Sequence, residues 1–348
     1  MKKKYKIETP KFINNKYIQL FQKKSCYTYN KSEKIKPLKN VFISNSGTVL
    51  QHCMIPLNSA ENLIGFQDKN FYFQRWKKAL EQYLVCKYGK SLKFYTCDNN
   101  LTYYSIHTPW FGYFSWITTY LPRLLQAQKM HPESYLIYPE EWETIKYVNE
   151  SLALLPNLNL KKVPIDHHIL IPKFKLIPCR KWTSHFDLTE LNTIRSIFYD
   201  SLKINEQSTP LKKIYISRKK AQRRKIVNEN EIELILKKQD FDIICLEDFS
   251  FAEQVKLLSN SKIVIGSHGA GLTNINFMKK NTHVVELTPI LSDFKKFRFP
   301  FWRMAKLLEI NYYCIFCNRT NDKTDEYESD MFVNIAELES ILSKLESI

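Results

Sequence analysis

Three of the seven glycines in this 348-residue chain, Gly266, Gly269 and Gly271, fall within six positions, directly after the β-branched run Ile263, Val264, Ile265. An apolar run of that kind, bounded by turn chemistry, reads as a buried parallel strand. Glycine admits positive φ and lets a ligand approach the backbone closely. A helix opening near Gly271 would direct unpaired N–H groups at the turn, and an anion can satisfy them. A second strand over 283–287 brings Glu286 to its end, where a carboxylate could accept two ribose hydroxyls. Strand, glycine turn, helix, strand and acid together describe a nucleotide half-site; a glycine turn alone would also serve tight strand-to-helix packing.

From 211 onward, strands are expected at 213–217, 242–246, 262–266, 283–287 and 311–316, alternating with helices at 229–238, 251–259, 271–278, 301–308 and 335–345. Such alternation implies a parallel sheet covered on both faces. Ligands of these sheets bind beyond the carboxyl ends of the strands, so Ser217, Glu247, Ser267 and Glu286 should share one rim. The first half mixes short strands (40–44, 92–97, 135–138, 168–171) with helices at 71–88, 113–129 and 140–154, and a helix from Asp187, a candidate N-cap, to about 202. The polar stretch 205–210 then marks a domain boundary. The expected division is a basic arm over 1–40, one domain over 41–205 and a second over 206–348.

Basic residues crowd two places. Residues 212–225 carry eight of them (212, 213, 218, 219, 220, 223, 224, 225) and no acid. Fixed cations at that point would stabilise charge gathering on a departing diphosphate, with Arg218 and Arg224 as the contacts. Residues 1–40 hold twelve lysines against Glu8 and Glu33, a net of +10 within an overall +17. Tyr5, Phe12, Tyr17 and Phe21 interleave with those lysines, which suits either a solvated mobile arm or a segment lying on an anionic membrane surface. Asn228 and Glu231 have the spacing of a capping box. Eight scattered cysteines read as structural thiols; Cys314 and Cys317, three apart in a strand, would point to opposite faces rather than share a metal. No apolar run is long enough for a bilayer-spanning helix, and the lysine-rich start lacks the apolar stretch of a secretory signal, so a cytoplasmic location is expected.

The wording IGSHGAGLTN, followed by VVEL and Pro289, resembles glycosyltransferase family 61. So do IYISRKKAQRRKIVNENE (214–231), LEDFSFAEQVKLLSNSKIVIG (246–266) and FWRMAKLLEINYYCIF (301–316). The resemblance implies an α/β, GT-B-like architecture of two facing Rossmann-like domains with parallel sheets. It implies an inverting, metal-independent transferase that takes a sugar from a nucleotide diphosphate donor, UDP-linked by expectation, with no cofactor beyond that co-substrate. The acceptor would be a glycan or lipid-linked saccharide of capsule or lipopolysaccharide assembly. Donor contacts are expected from Arg218, Arg224, Ser267, His268, Gly269, Ala270, Gly271, Thr273, Asn274 and Glu286.

On the acceptor side, GYFSWITTYLPRLLQAQ (112–128) is similar to a family helix that carries His, Trp and an acid four residues after the His, the acid being a candidate general base. Here those places read Ser115, Trp116 and Thr119, and neither hydroxyl is a base near neutral pH. His107, Asp98 and His268 are the candidate catalytic substitutes, with His185 behind them. Two other readings stand beside this one: a nucleotide-sugar-binding protein that has lost catalysis, and a basic nucleic-acid-binding protein. The second lacks any helix-turn-helix, zinc or RNA-recognition signature.

Overall fold

The computed structural model describes residues 2–30, 35–44, 47–55, 69–88, 93–107, 111–164, 167–180, 184–294, 298–320 and 326–346. Leu92, at the start of one expected strand, lies outside them. The chain forms two units: Met1–Lys3 with Thr28–His185, and Lys4–Tyr27 with Phe186–Ile348.

In the second unit a six-stranded sheet runs in the order Phe241–Ile244, Lys212–Ile216, Ser261–Ser267, His283–Pro289, Asn311–Arg319, Met331–Phe332. The first five are parallel and the last is antiparallel. Every residue of His283–Pro289 is buried, as a sheet covered on both faces requires. Tyr215, Ile263, Ile265, Val285, Leu287 and Ile315 pack under Ile232 and Leu236 of Glu229–Lys237 and under Ile341, Leu342 and Leu345 of Ile335–Glu346. Numbered along the chain, the strand order is 2-1-3-4-5-6, so the winding reverses between Lys212–Ile216 and Ser261–Ser267. A sheet of this order leaves a crevice at the reversal, beyond the carboxyl ends of those two strands.

The boundary between units falls at 185/186 rather than at 205/206. Helix Leu188–Ser201, capped by Asp187 accepting from the Thr189 N–H, belongs with the second unit. Its Tyr199 hydroxyl donates to the Phe277 carbonyl, Arg195 donates to the Met278 carbonyl, and Phe198 meets Phe251 and Phe277 edge to face. The polar 205–210 segment is thus a loop inside a unit, with Lys279 donating to the Asn205 and Ser208 carbonyls.

The amino-terminal segment is folded rather than a mobile arm. Phe21 lies against Phe299 and Trp302, with ring centroids 4.3 and 4.9 Å away, and Trp302 donates to the Glu8 carbonyl. Tyr17 and Phe21 are buried while Lys4, Lys6, Lys11, Lys16 and Lys23 stay exposed. The interleaving of aromatics with lysines therefore reports a segment with one packed face.

The first unit holds a seven-stranded sheet whose main path is Val49–Leu50, Lys36–Ile43, His168–Leu176, Tyr103–Ser105, Tyr135–Pro139, Leu160–Val163, with Phe94–Thr96 also on His168–Leu176. It is mixed, not parallel: Lys36–Ile43 runs antiparallel to both of its neighbours. Apolar patterning reports burial, and burial does not encode the direction of the partner strand. The expected helix at 113–129 becomes Tyr113–Ser115, a π-helical turn at Trp116–Tyr120, and Leu121–Met130. Pro122 has no N–H to return to the preceding turn, which favours a wider turn at that place.

Candidate active site

Register across the second unit's sheet aligns Ile244, Ile216, Gly266 and Glu286 in one row. Ser217 and Ser267 lie one step further, at the reversal, and exposed Glu247 follows in the turn Leu246–Asp248. Three of the four expected rim residues are therefore at the rim. Glu286 is not, because its strand continues three residues past it to Pro289.

None of the three clustered glycines is in the left-handed region; among the described glycines Gly47, at φ 80°, is the one that is. Gly269, at φ 162°, is extended. What these glycines provide is closeness. A Cβ at Gly266 would fall 3.1 Å from Leu272, and one at Gly271 3.1 Å from Leu246. At Gly269 it would fall 2.9 Å from Arg218 Nη1 and 3.8 Å from Arg224 Cζ, so both guanidiniums converge over this one residue. The turn continues as a 3-10 helix, Ala270–Phe277, in place of the expected α-helix. Glycine, threonine and asparagine are poor α-formers, and the tighter helix suits such a short connection.

Arg224 has left-handed backbone, φ 57°, and donates to the His268 carbonyl. Arg218 donates to the Arg223 carbonyl, and its own N–H is held by Glu229 at 3.0 Å, the same carboxylate oxygen that Tyr215 reaches. Burial draws the Arg218 guanidinium below its ordinary pKa, opposed by the nearby Glu247 carboxylate. A guanidinium remains cationic at neutral pH under such a shift. Elsewhere in the basic run, Lys212 pairs with Asp242, Lys219 with Glu233, Lys220 with Asp248 and Arg223 with Glu328. Four of the eight basic residues thus form ion pairs, Lys213 donates to the Gln239 carbonyl, the Lys225 N–H donates to Asp330, and two arginines lie over the turn.

At the end of the strand and within the 3-10 turn that follows, the hydroxyls of Ser267 and Thr273 are buried, and neither has a protein hydrogen-bond partner. A buried orphan hydroxyl costs stability unless something supplies a partner, and an anionic oxygen can. Asn274 is buried and bonds Gln254, 3.1 Å away, so it braces the turn on helix Phe251–Ser259. Ala270 is exposed at the start of the 3-10 turn. Gly269→Ala should leave the fold intact, because the obstructing atom is the far end of a flexible side chain, yet push the Arg218 guanidinium aside. The expected result is a melting temperature within a few degrees of the parent and nucleoside diphosphate affinity lower by roughly tenfold, the loss of part of one charge-assisted contact. Unchanged affinity by calorimetry would separate the turn from the ligand.

Glu286 is fully buried, and its two carboxylate oxygens accept from different partners, His268 Nδ1 and the Tyr312 hydroxyl. Both oxygens are engaged within the protein, so it is not an open ribose acceptor. Burial and the adjoining carboxylate push the Tyr312 phenol well above its ordinary pKa, so it stays a proton donor to Glu286. Where Nδ1 donates to the Glu286 carboxylate, Nε2 is the acceptor nitrogen of the ring. The imidazole is walled edgewise by Phe301, with centroids 5.3 Å apart. A carboxylate that fixes the tautomer and plane of a histidine in this way is the arrangement proton-transfer sites use. Sequence reasoning picked both residues but not their contact. The signal was there: parallel pairing of 263–267 with 283–287 makes Gly266 and Glu286 neighbours.

The expected capping box at Asn228 is absent. The Asn228 amide instead exchanges two hydrogen bonds with the Val333 backbone, both 3.0 Å, which clamps the loop after the first strand. A capping box that sequence reasoning missed occurs at Ser250 and Glu253.

In the first unit, His107 lines a pocket with Ser44, Gly47, Ser105, Glu141, Trp142 and His167. Its ring lies on Gly47, where a Cβ would come within 1.7 Å of it, and stacks at 17° to Trp142. Among the described residues Arg123 has no ion pair. Its guanidinium is buried and donates to the carbonyls of Ser105, Ile106, His107 and Ile177, thereby holding the His107 segment. Thr119, at the place of the family's acid, is buried and accepts from Arg180 at 3.2 Å. Asp98 sits in an exposed turn and accepts from the Asn100 N–H, which explains its presence structurally. His185 Nδ1 lies 3.1 Å from the Thr28 carbonyl.

All eight cysteines are unpaired thiols, with Cys314 and Cys317 buried in one strand. Burial raises both of their pKa values. Among the described residues no group of three or more His, Cys, Asp or Glu is arranged to hold a metal. The sequence does contain an Asp-x-Asp triplet, Asp240-Phe241-Asp242. It lies at the amino-terminal edge of the sheet, opposite the rim, with Asp242 paired to Lys212 at 2.6 Å.

Comparison with known proteins falls on these same elements. The family Glycosyltransferase 61 matches residues 113–285, about half of the chain. Protein O-linked-mannose beta-1,4-N-acetylglucosaminyltransferase 2 of Bos taurus is 33% identical over 105 residues, covering 29% of this chain and 18% of that protein. The Homo sapiens protein of the same name matches to the same extent. That of Xenopus tropicalis is 44% identical over 70 residues, 19% of this chain and 12% of that protein. The aligned part is thus less than a fifth of each relative's length. The glycine turn, the arginine loop and the strand before Glu286 lie inside the family match, and through residues 113–285 the chain belongs to glycosyltransferase family 61.

Proposed function

We propose that this protein is an inverting glycosyltransferase that takes a sugar from a nucleoside diphosphate donor, UDP-linked, and delivers it to a saccharide hydroxyl. The observation that carries this reading is the convergence of Arg218 and Arg224 over Gly269 at the sheet's reversal, together with the orphan hydroxyls of Ser267 and Thr273. In the reaction the acceptor oxygen attacks the anomeric carbon, the bond from that carbon to the β-phosphate oxygen breaks, and the electron pair leaves on the diphosphate. In this reading the two guanidiniums over Gly269 stabilise that developing charge, in the role a carboxylate-held metal would otherwise have. His268, oriented by Glu286, takes the acceptor proton. The second unit is read as the donor half of a GT-B enzyme and the first as its acceptor half. The relatives' name makes N-acetylglucosamine the first donor sugar to try. A net charge of +17 favours a polyanionic acceptor, such as an acidic capsule or lipopolysaccharide chain.

A second reading, binding without catalysis, draws on Thr119 standing in the acid's place and engaged by Arg180. A panel of UDP-, GDP- and CMP-sugars separates the two. Under the leading reading a UDP-sugar at a hundred times its dissociation constant stabilises the fold by about 2.7 kcal/mol and is slowly hydrolysed or transferred. Stabilisation without any turnover, in the presence of a range of acceptors, supports the second. No stabilisation by any member of the panel would overturn both. His107→Ala serves as the control: it should retain turnover if His268 is the proton acceptor and lose it if the pocket histidine has that role.

A further inference from the structure

Helix Lys69–Tyr88 carries large apolar side chains outside its packed face, interspersed with polar and charged ones. Trp76, Ala79, Tyr83 and Cys86 form the packed face, against Phe42, Leu50 and Ile55 of the same unit. At 100° per residue the opposite stripe runs through Phe73, Lys77, Leu84 and Tyr88, with Val85 alongside. Phe73 is 56% exposed, Leu84 43%, Val85 41% and Tyr88 76%. A surface helix of a globular protein ordinarily turns charged and polar residues outward. Large apolar side chains clustered on the outer face mark a surface that something covers.

Charge indicates the occupant. The helix carries Lys69, Arg75, Lys77, Lys78 and Lys87 against Glu81 alone, in a chain of net charge +17. Lys77 and Lys78 are exposed, Lys77 pairing with Glu81 one turn on at 4.0 Å, so Lys78 and Lys87 carry the net positive charge there, and the Lys87 ammonium lies 5.2 Å from the Tyr88 ring. Alternating aromatic and aliphatic groups with lysines at their margin is the chemistry of a helix lying in a bilayer interface, apolar groups among the acyl boundary and ammoniums at anionic headgroups. A second copy would set two faces of the same positive sign against each other. The aromatics of residues 5–21, which interleave with lysines in the same way, are packed inward and do not compete for this role.

We propose that the outer face of Lys69–Tyr88 docks this protein on an anionic lipid surface, independently of the donor-site reading. The test is co-sedimentation of the full chain with phosphatidylcholine vesicles, alone or containing 30% phosphatidylglycerol, at about 0.1 M and 0.5 M salt. Partitioning should be strong on the anionic vesicles, at least tenfold weaker on phosphatidylcholine, and weakened by salt as screening shortens the reach of the lysines. Phe73→Ser with Leu84→Ser should lower partitioning on anionic vesicles at least tenfold, since two apolar groups stay in water. Lys77→Glu with Lys78→Glu should do so while keeping the apolar face, which guards against a folding defect, and both variants should retain the parent melting temperature. Failure of the parent chain to sediment with anionic vesicles, equal binding to both lipids, or undiminished binding of both variants would overturn the proposal. So would a concentration-dependent dimer, by sedimentation velocity, that the Phe73/Leu84 variant abolishes.

Discussion

Glu286→Gln is expected to lower turnover by roughly 10² to 10⁴ while leaving nucleoside diphosphate affinity within about threefold of the parent. The carboxylate is fully buried between His268 Nδ1 and the Tyr312 hydroxyl. An amide of the same shape still fills the space. Its oxygen can accept from only one of the two donors well, and its NH₂ group presents a donor where the imidazole N–H needs an acceptor. The histidine is then driven toward the other tautomer, with its proton on Nε2, where a proton acceptor needs a lone pair. A residue with a purely architectural role would move melting temperature, affinity and turnover together. Glu286→Leu shows that contrast: it leaves two buried donors unsatisfied and should cost about 3 kcal/mol or more of stability. Steady-state kinetics with calorimetry on Glu286→Gln decide the matter, and a normal kcat would confine Glu286 to holding the strand pair together.

Arg218→Ala should weaken nucleoside diphosphate binding by about 1.5 to 3 kcal/mol, equivalent to a ten- to hundredfold rise in Kd, the range for a hydrogen bond to a charged group. Arg224→Ala should act in the same sense. Both guanidiniums bear on the same residue, Gly269, so the double variant should fall short of the sum of the singles, as coupled neighbours do. The opposite sign is expected for the fold itself. Arg218 is held partly buried against its desolvation cost, so its removal should leave the melting temperature unchanged or slightly raised in the absence of ligand. Lys220→Ala, by contrast, breaks an exposed pair with Asp248 and should change nucleotide affinity little. Equal losses for Arg218→Ala and Lys220→Ala would mean that the loop acts by net charge alone.

Much of the second unit could be read without coordinates. β-Branched runs bounded by turn residues located the four strands from Lys212–Ile216 to His283–Pro289, and helix Phe251–Ser259 matched its expected limits. These are local signals: a buried parallel strand must be apolar along its whole length, so its composition reveals it. Arg218 was picked out by its position just past a strand end and Arg224 by the family resemblance; the structure places both guanidiniums at Gly269. The first unit was less legible. Its helix at 113–130 shows apolar spacing whether or not a π-turn interrupts it, and nothing in the 36–43 run says that its partners lie antiparallel.

The sequence by itself determined that a glycine turn, two arginines and a histidine would follow the carboxyl ends of strands in a doubly wound sheet. Strand composition, turn residues and the carboxyl-end rule are properties of short segments. Tertiary structure alone decided what each of them touches. Glu286 turned from a ribose acceptor into the partner of His268 and Tyr312 because its strand extends three residues beyond it to Pro289. Tyr17 and Phe21 turned inward because an apolar surface carrying Phe299 and Trp302 was there to receive them. Trp76, Ala79 and Tyr83 fill the contact with Phe42, Leu50 and Ile55, while Phe73, Leu84, Val85 and Tyr88 stay exposed. Burial depends on which surfaces meet, and residues far apart in the chain settle that only once the chain has closed on itself.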